Sequence, residues 1–127
     1  MNDTLHEHIE AIIASAQSLL SGDDGELTER QQGFVKIILA NAEKFIHRAA
    51  DFASVPLEEV SAEMRHELGN PLTPIFGYSE LMQKRFFDEL NPAQQAHVNI
   101  IWENTRDVRE LVDSLVARAR AMASRPA

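Results

Sequence analysis

At 127 residues the chain has room for one modest core and not for two ordinary enzyme domains. It holds no cysteine, which rules out disulfides, thiolate metal sites and cysteine nucleophiles, and its net charge of −8 argues against nucleic acid, whose binding rests on basic patches. The acid lies mostly in the first half, with 12 Asp/Glu against 4 Lys/Arg in residues 1–63 and 8 against 8 in residues 64–127, so a protein partner is the expectation.

The opening MNDTLHEHIE carries acids where a secretory signal would be basic and then apolar, and no apolar run approaches the roughly 18 residues of a membrane span. The expected location is the cytoplasm, with no membrane contact. Apolar residues then recur at steps of three and four, and glycine and proline fall in clusters between these runs. Four helices follow. The first covers residues 4–21 and stops at the Gly22-Asp23-Asp24-Gly25 turn; the second takes Thr28 as N-cap and runs to about Phe52. The third covers residues 57–87. The fourth takes Asn91 as N-cap with Pro92 at the first helical position, and continues to about Met122.

The second and fourth helices repeat each other at an offset of 63: Leu27, Gln31, Gln32, Val35, Ile37, Ile38 and Asn41 match Leu90, Gln94, Gln95, Val98, Ile100, Ile101 and Asn104. The turns before them, Gly25-Glu26-Leu27-Thr28 and Asp88-Glu89-Leu90-Asn91, correspond as well, so the repeating unit is a helical hairpin. A hairpin cannot bury its apolar stripe alone, whereas two in one chain can pack face to face. The expected fold is therefore all-α, an antiparallel four-helix bundle of two tandem hairpins, a pseudo-dimer in one domain over residues 1–127. A first hairpin spans 1–53, a linker 54–57 and a second hairpin 58–124. The pattern allows a self-sufficient monomer or a homodimer paired through the second hairpin.

Chemistry concentrates in "HELGNPLTPIFGYSEL", residues 66–81. His66 and Asn70 are four apart and share a helix face, with Glu67 flanking the histidine. An imidazole keeps a free nitrogen lone pair at neutral pH and accepts a phosphoryl group there. A neighbouring carboxylate can hold the ring tautomer and stabilise the charge that develops on attack, and an amide one turn away can place a water in line. Pro71 removes the donor for the Glu67 carbonyl and Pro74 the donor for that of Asn70, so the helix should bend just past the histidine, at about 3 kcal/mol or more per interior proline unless something compensates.

This stretch resembles the H-box of sensor histidine kinases, the phosphoacceptor segment of their dimerisation and histidine-phosphotransfer domain: His-Glu-Leu, two further positions, Pro-Leu-Thr, a spacer, Ile, then Gly-Tyr-Ser-Glu-Leu. The likeness extends more loosely from about Val60 to Arg118, one complete hairpin. It implies that His66 is the phosphoacceptor, Glu67 the general base and Asn70 the water-positioning residue of a phosphatase activity. Gly69 departs from the bulkier polar residue usual there, which loosens the helix. The family's ATP-binding domain has no counterpart in these residues, so no autophosphorylation from ATP is expected of this chain alone.

The resemblance implies two-component signalling, with phosphoryl exchange between His66 and the aspartate of a response-regulator receiver domain. That receiver would dock near Phe76, Tyr78 and the facing part of the fourth helix. A sensor kinase is a further candidate partner, no cofactor is expected on this chain, and Mg²⁺ would come with the receiver. Two alternatives stand beside phosphotransfer: a receiver phosphatase relying on Asn70, and a non-catalytic adaptor with a vestigial H-box. In the first hairpin, matching Ile13–Leu19 to Ile75–Leu81 at an offset of 62 sets Thr4 opposite His66 and His8 opposite Asn70, leaving His6-Glu7 out of register. His47 and His97 read as surface or seam residues, Trp102 and Phe86-Phe87 as packing, and Asn41 and Asn104 as register-fixing.

Overall fold

The computed structural model describes residues 3–56 and 59–123, the side chains of residues 3 and 123 excepted. The helices are α1 (Asp3–Ser21), α2 (Glu29–Ala53), α3 (Ala62–Gly69), α4 (Leu72–Gln83) and α5 (Pro92–Ala123). α1 packs on α2 and α5, α4 packs on the same two, and α3 extends the line of α4 against them. The result is an all-helical bundle with α3 and α4 together as its third rod. The predicted helix start at residue 57 and the outer ends of the predicted domain, residues 1 and 127, lie outside the described residues.

Both long helices open on reciprocal caps. Thr28 Oγ1 accepts from the Gln31 amide at 3.1 Å while Gln31 Oε1 accepts from the Thr28 amide at 2.9 Å. Asn91 and Gln94 repeat the arrangement at 2.8 and 3.0 Å. Each box satisfies two amides that a helix start otherwise leaves without partners.

The same glutamines tie the hairpins together. Gln31 donates to the Glu89 carbonyl at 3.0 Å, and Gln94 to the carbonyls of Gly25 and Glu26 at 3.1 and 3.4 Å. Because Glu26 and Glu89 are themselves 63 apart, these are one contact made twice, the mark of an isologous two-fold interface built inside a single chain. Both hairpin tips thus meet at one end of the bundle. Gly25 lies beneath this junction with φ 121°, and a Cβ there would come within 2.7 Å of Asn91 Nδ2, so only glycine fits without displacement.

Burial follows the same period. Leu5, Ile9, Ile12, Ala16 and Leu19 of the first hairpin correspond to Leu68, Leu72, Ile75, Ser79 and Met82 of the second, all buried and all 63 apart. Val35, Ile38, Ala42 and Phe45 correspond likewise to Val98, Ile101, Thr105 and Val108. The offset of 62 between the first and third predicted helices is therefore corrected to 63. The similar letters at Ile13 and Leu81 suggested the shorter offset, but both side chains are only half-buried beside the stripe. Where the second hairpin places hydroxyls in the core, each bonds its own helix: Ser79 to the Ile75 carbonyl and Thr105 to that of Ile101, both at 2.6 Å.

Candidate functional site

The site is built on α3 and the break that follows it. α3 begins at Ala62, because Ser61 takes the N-cap position and its hydroxyl accepts from the Met64 amide at 3.1 Å. One regular step survives beyond α3, from the Asn70 amide to the His66 carbonyl at 3.0 Å. Then Pro71 withholds its donor, and the Glu67 carbonyl instead receives the guanidinium of Arg48, reaching across from α2 at 2.8 Å. Pro74 withholds the donor three further on, and the Asn70 carbonyl turns to the Thr73 amide at 3.3 Å in a tighter i+3 bond.

The expected bend is thus a break between Gly69 and Leu72, with both freed carbonyls satisfied. The Arg48 bond is solvent-exposed and offsets only part of the ~3 kcal/mol that a proline costs inside a continuous helix; the break itself, which sets Pro71 at the N-cap of α4, removes the rest. Arg48 is the residue that sequence reasoning missed. The orphaned Glu67 carbonyl signalled that a donor was needed, but nothing in the local sequence says that it comes from the other hairpin.

Leu68, Pro71, Leu72 and Ile75 anchor the break to the core. His66, Asn70 and Thr73 lie along the opposite, exposed line. They form one wall of a cleft of about 320 Å³ whose other wall is Arg109, Val112, Asp113 and Val116 of α5, with Arg65 at its edge. His66 and Asn70 are brought together as expected. Glu67 is not with them: it projects toward α2, into a small groove with Arg48, Asp51, Phe52 and Met64. Adjacent helical residues do not face each other, so its carboxylate reaches the His66 ring only by a change of side-chain rotamer. Among the described residues the side chains of His66, Glu67 and Asn70 have no hydrogen-bond or ion-pair partner, leaving all three available to an incoming group.

Toward the hairpin tip the wall becomes aromatic and basic. Phe76 meets Trp102 edge-on with centroids 6.0 Å apart, Arg109 lies 4.9 Å over Phe76, and Arg106 lies 5.7 Å over Trp102. Tyr78, expected on this surface, instead packs 5.1 Å from Phe34 on the α2 side of α4. Phe87 joins it there, 6.1 Å from Phe34 and under Arg30. The predicted third helix stops at Gln83 rather than Phe87, because Arg85 adopts φ 55° and the Phe86 amide folds back to the Leu81 carbonyl at 3.3 Å.

In the first hairpin the corrected offset sets Asp3, Thr4 and Glu7 where His66, Glu67 and Asn70 stand. His6 is exposed and lies 3.3 Å from Glu10, a surface pair. Histidines elsewhere hold elements together: His97 meets Asp24 of the α1–α2 turn at 2.8 Å, and His8 meets Asn104 of α5 at 2.7 Å. Asn41 and Asn104 each donate to the carbonyl four residues back, at 2.8 Å in both helices. Among the described residues there is no group of three His, Asp or Glu placed to hold a metal ion, and no helix long and apolar enough to cross a membrane.

Comparison with known proteins bears on residues 57–124, which match the model of the His Kinase A (phospho-acceptor) domain. A Rickettsia prowazekii protein described as sensor histidine kinase NtrY-like is 34% identical over 64 residues, 49% of this chain and 11% of the relative. Its counterpart in Rickettsia felis is 33% identical over the same share. The chain thus spans about a tenth of the length of these curated relatives, and no solved structure matches it. With a family match over more than half its length, on the hairpin that carries the exposed His66, the chain belongs to the His Kinase A phospho-acceptor domain family.

Proposed function

We propose that this protein is a phosphotransfer component of a two-component system in the cytoplasm, with His66 as phosphoacceptor and a response-regulator receiver domain as partner. The observation that carries this reading is an exposed imidazole on a cleft wall beside a helix break, within the segment that matches the phospho-acceptor family. A lone pair on the His66 ring would attack phosphorus of the receiver's aspartyl phosphate, so that an N–P bond forms as the P–O bond to the aspartate breaks and the carboxylate leaves. The proton on the other ring nitrogen would pass to Glu67 once its side chain has rotated toward the ring. The reverse sequence returns the phosphoryl group.

Arg65 and Arg109 border the cleft and favour the anionic group during transfer. The receiver, bringing its own Mg²⁺, would approach along α4 and α5 over the Phe76–Trp102 pair, whose flanking arginines suit an acidic partner surface. Incubation with a phosphorylated receiver should label the protein at His66, and the label should vanish in His66→Gln; persistent label in that variant would exclude His66.

Asn70, one turn from His66 on the same wall, supports a second reading, in which the protein hydrolyses the receiver's aspartyl phosphate with Asn70 holding the attacking water. Asn70→Ala should then abolish phosphate release while His66→Ala keeps part of it. Transfer through His66 demands the opposite ranking.

A further inference from the structure

We infer that Arg48 is a positioning residue for the His66 site: the first hairpin, which lacks the H-box sequence, supplies the clamp that fixes the break on which His66 stands. The inference rests on His66 being the phosphoacceptor. Three observations carry it. The guanidinium of Arg48 donates at 2.8 Å to the Glu67 carbonyl, the acceptor that Pro71 deprives of its helical donor. That carbonyl belongs to the peptide linking Glu67 to Leu68, and Leu68 is 1% exposed, so the bond pins the turn between a core anchor and a cross-hairpin donor. The bundle's internal two-fold, finally, has no equivalent on its other side. The position 63 residues beyond Arg48 is Leu111, which has no side-chain donor and faces a helix with no proline.

The symmetry of the two hairpins is therefore broken at the point where the site needs a hydrogen bond. Arg48 touches neither the cleft nor the face along α5 that a partner would occupy, since it lies on the α2 side with Glu67. Its effect should fall on the rate of transfer and not on partner binding. A fixed Glu67 peptide sets the directions in which both the His66 and Glu67 side chains leave the backbone, and small displacements of reacting groups are costly.

The test uses the full chain with Arg48→Met, which keeps the apolar stem and loses the donor, Arg48→Lys, which keeps a donor, Pro71→Ala, which restores a backbone N–H for the Glu67 carbonyl, and the Met/Ala double variant. Arg48→Met should slow single-turnover labelling of His66 by a phosphorylated receiver roughly tenfold with receiver Kd unchanged, Arg48→Lys should recover part of the rate, and in the Pro71→Ala background the Met substitution should have no further effect. Equal rates for Arg48→Met and wild type, or the same loss with and without Pro71, would overturn the proposal. Amide exchange at Asn70 and Thr73 gives a readout free of phosphate. Faster exchange in Arg48→Met supports the clamp even if no variant takes label, in which case only the phosphoacceptor reading fails; unchanged exchange refutes the clamp whatever the labelling shows.

Discussion

Gln31 and Gln94 show how much one side chain can join in this protein. Each is 4% exposed, closes its helix's capping box and crosses to the opposite hairpin tip, using both ends of its amide. Replacing either by Ala removes a cap and leaves a carbonyl of the opposite tip without its donor, so each variant should lose about 1–3 kcal/mol. Urea denaturation at unchanged m-value is the measurement. The exposed Gln17 of α1, changed to Ala, should stay within roughly 0.5 kcal/mol of the parent; a Gln31→Ala variant as stable as that control would show that the tip junction contributes nothing. The site's own residues differ in kind. His66, Glu67 and Asn70 are all exposed and hold nothing together, so changes there should alter chemistry while leaving the unfolding midpoint in place.

At the scale of helices, the two hairpins stop their first rods in the same way with unequal residues. Gly22 has φ 78° and Arg85, its partner at the offset of 63, has φ 55°, each closing a helix in the left-handed region. For Arg that conformation costs about 1–2 kcal/mol, whereas Gly loses only ~0.5–1 kcal/mol more chain entropy on folding. The Arg85–Glu89 pair at 3.7 Å is too exposed to matter much. Arg85→Gly should therefore stabilise the protein by roughly 0.5 kcal/mol and Gly22→Ala destabilise it by about 1 kcal/mol, both read from thermal melts. The absence of glycine at residue 85 is also why the sequence suggested a third helix running on to Phe87. Boundaries marked by side chains with strong cap chemistry, Thr28 and Asn91-Pro92, are legible in the sequence; Ser61 carries the same chemistry but lies inside the span that the apolar spacing assigns to the third helix. The break at Pro71 was legible from the missing N–H, and so was the shared face of His66 and Asn70, since both follow from backbone geometry. Neither the turn of Glu67 toward α2 nor the reach of Arg48 was legible, because each depends on which helix the fold places alongside.

For the whole molecule, the repeat makes the bundle a dimer joined in one chain, yet its halves are not interchangeable. If residues 58–124 pair with a second copy in place of the first hairpin, the core loses Phe45 and Phe52 and takes Val108 and Leu115 at those places, while Ala16 and Ala42 give way to Ser79 and Thr105. Each large-to-small exchange in a packed core removes apolar burial and leaves space that neighbours fill only in part, and the added hydroxyls, although each bonds its own helix, replace methyl contacts with polar atoms. Leu111 would also stand where Arg48 clamps the Glu67 carbonyl. The isolated second hairpin should still associate, because its apolar stripe has no other cover, but as a dimer whose melting point falls on dilution and lies below that of the intact chain. Sedimentation should give twice the hairpin mass at high concentration, against a monomer for residues 1–127. The intact chain should also label His66 faster per site than the hairpin dimer, although the dimer offers two histidines. Equal stability and equal labelling rates in the two forms would mean that the first hairpin serves only as a generic partner, with neither its phenylalanines nor Arg48 fitted to the second.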